Sequence, residues 1–217
     1  MKRILFLGLG MVALLASCVK KKGPAPDAHV RFINAVSFLP AQDIYIDNVL
    51  ATTSGGVAFG GVTNYFTYES GLNLLTYYNT GTTTPNLSYT YGSAAGEYAT
   101  VFFYSDTLQN IYSAGIKDNM SAPPTGKARV RFVNLDNYLK NALKMTVTGG
   151  ADLFTSLDKG NASIYYDVDP GATFTPSSVG VTNAPVINPQ VQAGKIYTIW
   201  LSATSSTELV AHSTLQN

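Results

Sequence analysis

Residues 28–34 read AHVRFIN and residues 128–134 read ARVRFVN, at an offset of 100. Further along, AGEYATVFF at 95–103 aligns with AGKIYTIWL at 193–201, at an offset of 98. Two matched blocks, in the same order and at nearly one spacing, mark an internal duplication. A period near 100 residues is the size of a domain rather than of a solenoid repeat, so the chain builds one kind of core twice. The seam falls at KDNMSAPPTGK, residues 117–127, whose Pro, Gly and polar residues suit a linker.

Each copy reads as β. Val30 and Phe32 alternate with Arg31, and Val130 and Phe132 with Arg131, which predicts strands with one face in a core and the arginines on the other. Further first-copy strands are predicted at 44–47, 63–70, 74–78 and 98–105. Second-copy strands are predicted at 143–148, 162–169, 172–181, 195–203 and 208–213. Turn signals such as Ser54-Gly55-Gly56 and Asp169-Pro170-Gly171 separate them. Only the stretch from Asp136 to Leu143 suits a helical turn. About seven short strands per copy predict an all-β chain of two tandem immunoglobulin-like β-sandwich domains, over 28–118 and 127–217. One Cys precludes an internal disulfide, so packing must hold each copy together. Tyr98, behind a glycine at a strand start, suits a tyrosine corner whose hydroxyl caps nearby backbone.

The N-terminus reads as an address. Lys2 and Arg3 form a basic segment, Ile4 to Leu15 an apolar one, and Ala16 and Ser17 a small-residue end. That layout predicts a cleaved signal peptide over 1–17, too short for a comfortable bilayer span. LASC at 15–18 resembles the bacterial lipobox, which implies cleavage before Cys18 and a diacylglycerol thioether on its sulfur. Residues 18–27 are then the lipidated Cys and its tether, with Lys20 to Lys22 placed beside anionic headgroups. From residue 27 on, nine bases stand against thirteen acids. A mildly acidic module gives nucleic acid no electrostatic footing.

The strands of Val30 to Asn34, Asp43 to Asn48, Val130 to Asn134 and Gly194 to Thr198 resemble the VRFxN, VDIYIDG-like and GxxYT motifs of a domain-of-unknown-function family found in lipoproteins of Bacteroidota. The first copy departs at Tyr98-Ala99-Thr100, where the aromatic moves by one, and the second has Lys144 and Thr148 near the places of the acids. The resemblance implies an immunoglobulin-like sandwich and a cell-envelope location, and it carries no catalytic residue.

Candidate chemistry is sparse. Asp43 and Asp47, four apart in a strand, would share a face and could act as acid and base or bind Ca²⁺; strand-end and turn roles are the alternative. Asp167 and Asp169 precede Pro170-Gly171, as Ca²⁺ ligands or as an ordinary turn. SGGVAFGGV at 54–62 lacks both a nucleophile elbow and the lysine of a phosphate loop, which leaves a turn. His29, matched by Arg129, reads as solvated, and His212 has no nearby His or Cys for a metal. The aromatics are uneven: 16 Phe and Tyr lie in 29–120, against 8 aromatics in 121–217. Tyr65, Tyr68, Tyr77, Tyr78, Tyr89 and Tyr91 are therefore candidate ligand-stacking residues.

These observations predict a lipid-anchored outer-membrane protein, on the periplasmic or cell-surface face, with a non-enzymatic binding, adhesion or structural role. One alternative is a carbohydrate-binding module of a glycan-uptake system that uses the first-copy tyrosines. A second is a hydrolase with an unrecognised carboxylate pair. The expected partners are the membrane, through the lipid, and a glycan or envelope protein; no nucleic acid, cofactor or metal is expected.

Overall fold

The structure is a computed structural model that describes residues 26–203 and 205–217. The signal peptide, Cys18 and the tether up to residue 25 lie outside the described residues. The first half carries β1 (Asp27–Asn34), β2 (Gln42–Ile46), β3 (Val49–Leu50), β4 (Phe66–Glu69), β5 (Gly71–Asn79), β6 (Pro85–Ser93), β7 (Tyr98–Ser105) and β8 (Ile111–Lys117). The second carries β9 (Ala128–Asn134), β10 (Leu143–Val147), β11 (Asp152–Leu157), β12 (Tyr166–Val168), β13 (Phe174–Ser177), β14 (Ile196–Ser202) and β15 (Val210–Leu215). No helix appears among the described residues. At 136–143 Asp136 Oδ1 instead accepts from Tyr138 N at 2.8 Å and Leu139 N at 3.0 Å, a turn that offers the backbone an alternative to a helix.

The chain is an all-β sandwich protein. In the first half, sheet β4-β1-β7-β8 faces sheet β3-β2-β5-β6; in the second, β12-β9-β14-β15 faces β11-β10-β13. Side chains alternate as a half-buried strand requires. Ile44 and Ile46 on β2, Leu75 and Tyr77 on β5, and Val101 and Phe103 on β7 meet Val30 and Phe32 in one core. Val130, Phe132, Leu143, Met145, Phe174, Ile199 and Leu201 build its counterpart. Burying such a side chain contributes about 1.5–3 kcal/mol, and these cores stand without a disulfide. Each first strand pairs in parallel with a late one: β1 with β7 from His29↔Tyr98 to Asn34↔Phe103, and β9 with β14 from Ile196↔Arg129 to Leu201↔Asn134. Strands β3, β6, β8 and β11 were not predicted from the sequence; Pro85 and Gly92 interrupt the pattern of β6 and Gly115 that of β8, whereas β3 is only two residues long. Gly115 is required by packing: a Cβ there would meet Tyr91 Cε2 at 2.2 Å.

Arg31 and Arg131 depart from the expectation of a one-sided strand. Both are buried, because the second faces of β1 and β9 are covered by the opposite half. Ile33, Phe102, Val133, Leu135 and Trp200 form an apolar cluster drawn from both halves. Beside it the arginines make matched contacts. Arg31 donates from Nε to Thr100 Oγ1 at 2.9 Å and from Nη1 to Leu215 O at 2.7 Å. Arg131 donates from Nε to Thr198 Oγ1 at 3.0 Å and from Nη1 to Lys117 O at 2.7 Å. The guanidinium groups lie over Tyr65 and Tyr165 at 5.2 and 5.1 Å. Each arginine thus bonds within its own sheet and to the final-strand carbonyl of the other half.

The symmetry breaks at one side chain. Asp118, whose side chain is fully buried, ion-pairs with Arg131 through Oδ1 and accepts from Tyr65 Oη at 2.6 Å and Thr100 Oγ1 at 2.7 Å. The matching position after β15 holds Gln216, whose amide pairs with the Tyr165 hydroxyl at 3.0–3.1 Å. Arg31 lies only 4.0 Å from Asp118 Oδ2, and its Nη2 is buried without a hydrogen-bond partner. Burial accordingly pulls the Arg31 guanidinium below its ordinary range. Asp118→Asn should cost about 3–5 kcal/mol in urea unfolding, because it strands buried charge. Gln216→Glu should raise the unfolding midpoint by giving Arg31 Nη2 its missing partner.

Candidate functional site

The six tyrosines do not form one surface. Tyr77 is fully buried, stacks on Phe103 at a centroid distance of 4.6 Å and shares a 2.8 Å hydrogen bond with Ser113 Oγ. Tyr68 and Tyr91 belong to the same core, and the Tyr91 hydroxyl donates to Glu97 Oε1 at 2.7 Å. These three are structural, because strand alternation turns their rings inward. Tyr89 packs half-buried against that core beside Tyr91. Tyr65 serves the junction through Arg31 and Asp118. Tyr78 alone of the six stands on the outward face of the β3-β2-β5-β6 sheet. There it meets Tyr45 edge to face at 5.3 Å, a residue the sequence reading had not singled out.

The carboxylate candidates are held apart by local bonds. Asp43 accepts from Gly81 N at 3.3 Å and Thr80 Oγ1 at 3.4 Å. Asp47 lies past the end of β2 and, with Asn48, forms a two-residue turn at φ 46° and 69°, a conformation that Asp and Asn tolerate. Its Oδ1 accepts from Leu74 N at 2.8 Å. The predicted shared strand face for this pair is therefore corrected. Asp167 takes a two-pronged bond from Arg129 at 2.7 and 3.2 Å, and Asp169 pairs with Lys127 at 2.7 Å. Among the described residues no three His, Cys, Asp or Glu side chains gather to hold a metal. A depression of about 360 Å³ is lined by Thr53, Gly56, Val57, Thr63, Asn64 and Tyr65, with no acid–base pair in its wall.

The tyrosine corner occurs in the other copy. Gln192 N donates to the Tyr197 hydroxyl at 3.2 Å, whereas Tyr98 stacks on His29 at 4.2 Å. His29 is half-buried in that stack, with Nδ1 3.1 Å from Thr67 Oγ1.

The glycine-rich segment 54–62 is a loop that reaches across to the second half. Phe59 meets Trp200 at 6.4 Å and His212 at 5.7 Å. His212 stacks on Trp200 at 3.7 Å and bonds Ser202 Oγ at 2.9 Å. Burial holds its imidazole below the ordinary value. The folded state therefore takes up this proton at lower pH than the unfolded chain does. Stability should fall as pH drops from about 7 to 5, and His212→Gln should flatten that slope in thermal unfolding.

Comparison with known proteins adds a family. The chain resembles the module CBMbc (family CBM26) of Eubacterium rectale Amy13K, solved in complex with maltoheptaose, at 13% identity and a TM-score of 0.30. The likeness covers 88% of this chain and 98% of that one, but so distant a match carries neither ligand nor site. No curated protein matches. Residues 28–141 match the family described as domain of unknown function DUF4397, a span that includes Arg31, Asp118 and Arg131 together. More than half of the sequence thus fits that pattern, and the chain belongs to the DUF4397 family.

Proposed function

We propose that this protein is a lipid-anchored component of the cell envelope that displays two coupled sandwich domains and acts by binding rather than catalysis. The observation that carries the reading is the LASC sequence ending at the chain's sole Cys, eight residues before the described structure begins at Pro26. Lipid on Cys18 sets the address, the lysine-rich tether gives reach, and the arginine junction holds the halves as one body. Local hydrogen bonds and ion pairs around Asp43, Asp47, Asp167 and Asp169 leave these carboxylates in structural roles, which supports a display function over a hydrolase.

The native protein should fractionate with membranes and have an intact mass equal to residues 18–217 plus an acylated glyceryl group. Cys18→Ser should lose the lipid and leave the membrane fraction. An unmodified chain beginning at Met1 would sink the reading.

A second reading, glycan binding, is favoured by the outward Tyr45–Tyr78 pair, which offers ring faces beside Thr76 and Asp43. A Tyr45→Ala, Tyr78→Ala double variant should then lose retention on an envelope-glycan array while unfolding at an unchanged urea midpoint. Retention equal to that of the native chain would remove this reading.

A further inference from the structure

Four exposed apolar side chains share one end of the β3-β2-β5-β6 sheet in the first half. Leu72 is 82% exposed, Val49 60%, and Leu50 and Leu74 43% each. Strand register brings them together. Asp47 N donates to Leu74 O at 2.9 Å, and Leu74 N donates back to Asp47 Oδ1 at 2.8 Å. This ties the β2–β3 turn to the start of β5, so Val49 and Leu50, on the far side of β2, lie at the same end of the sheet as Leu72 and Leu74. Leu72 opposes Gly92 on β6 and Leu74 opposes Thr90, so no bulky cross-strand neighbour covers either.

The fold itself does not require this surface. In the second half Thr148 N donates to Thr173 O at 2.9 Å as Asp47 N does to Leu74 O, so Thr173 and Gly171 stand where the first half has Leu74 and Leu72. Contiguous exposed apolar side chains mark an interaction site more often than chance.

The chain enters at that same end. Ser70 N donates to Pro26 O at 2.8 Å, Asp27 opposes Glu69, and Ser70-Gly71 lead directly into Leu72. Residues 19–25 separate Cys18 from Pro26, and seven residues span at most about 25 Å. Lys20, Lys21 and Lys22 lie within that stretch and favour anionic headgroups, offsetting the acids Asp27 and Glu69 near the entry point. A lipid on Cys18 keeps the Leu72 end within a short tether of the bilayer, where a weak apolar contact gains from high effective concentration.

We propose that the β2–β3 turn and the start of β5, with Val49, Leu50, Leu72 and Leu74, rest on the lipid bilayer that holds the anchor. This inference rests on the lipid-anchor reading and adds an orientation to it: the first half lies against the headgroups by this end.

The test uses the acylated protein purified from membranes. With the Cys18 sulfur in its thioether, a Leu72→Cys variant has one free thiol for a nitroxide. Val179→Cys, at a position 79% exposed in the second half, is the control. On vesicles of phosphatidylethanolamine and phosphatidylglycerol, the label at 72 should lose collisions with a water-soluble nickel chelate and gain collisions with oxygen. The label at 179 should do neither. Equal aqueous exposure of both labels on protein that floats with the vesicles overturns the orientation and leaves the anchor standing. A chain that carries no lipid and fails to float overturns both. Shielding of the label at 72 by soluble envelope glycans, with vesicles absent, overturns the bilayer as the occupant.

Discussion

Two buried guanidinium groups depend on one carboxylate. Removing a charge from water costs several kcal/mol, and the cost is recovered only where hydrogen bonds and opposite charge replace the lost hydration. Arg31 and Arg131 meet that demand by reaching across: each bonds a backbone carbonyl of the other half, and Asp118 binds Arg131 directly. Neither half can satisfy its own arginine. The two halves therefore cohere for an electrostatic reason as well as an apolar one, and Tyr65 and Tyr165 lay their rings against the guanidinium groups.

The copies have kept this device and diverged around it. Asp118 has Gln216 as its counterpart, which leaves Arg31 Nη2 orphaned and makes the junction lopsided in charge. Phe59 projects onto Trp200 and His212, whereas Lys159 stands at the matching place of the second loop. The outer sheet of the first half exposes Leu72 and Leu74, where the second half has Gly171 and Thr173. Divergence on outward faces over a retained core is the pattern expected when one copy acquires a surface task and the other remains support.

The all-β class and the duplication were legible in the sequence, because period-2 alternation and block matches are local signals. The burial of Arg31 and Arg131 was not. An arginine between Val30 and Phe32 reads as the wet side of a strand, and only the packing of one half on the other makes that side dry. The tyrosine set failed for a related reason. Adjacent aromatics such as Tyr77 and Tyr78 must point oppositely, but which one faces the core depends on register with Ile44 and Leu87 on neighbouring strands. Asp43 and Asp47 misled because a two-residue turn moved the second acid off the strand. Tyr45 escaped notice because it is isolated in sequence and meets Tyr78 only across the sheet.

The parallel pairing of β1 with β7 bears on how the polypeptide comes together. Strand β1 lies between β4 and β7, and its parallel neighbour follows about 70 residues later. At synthesis rates of about 5–20 residues per second, β1 emerges several seconds before that neighbour, its valine and phenylalanine side chains uncovered. The N-terminal strand is thus where a holding chaperone would have most to do, and where premature pairing between nascent chains would begin.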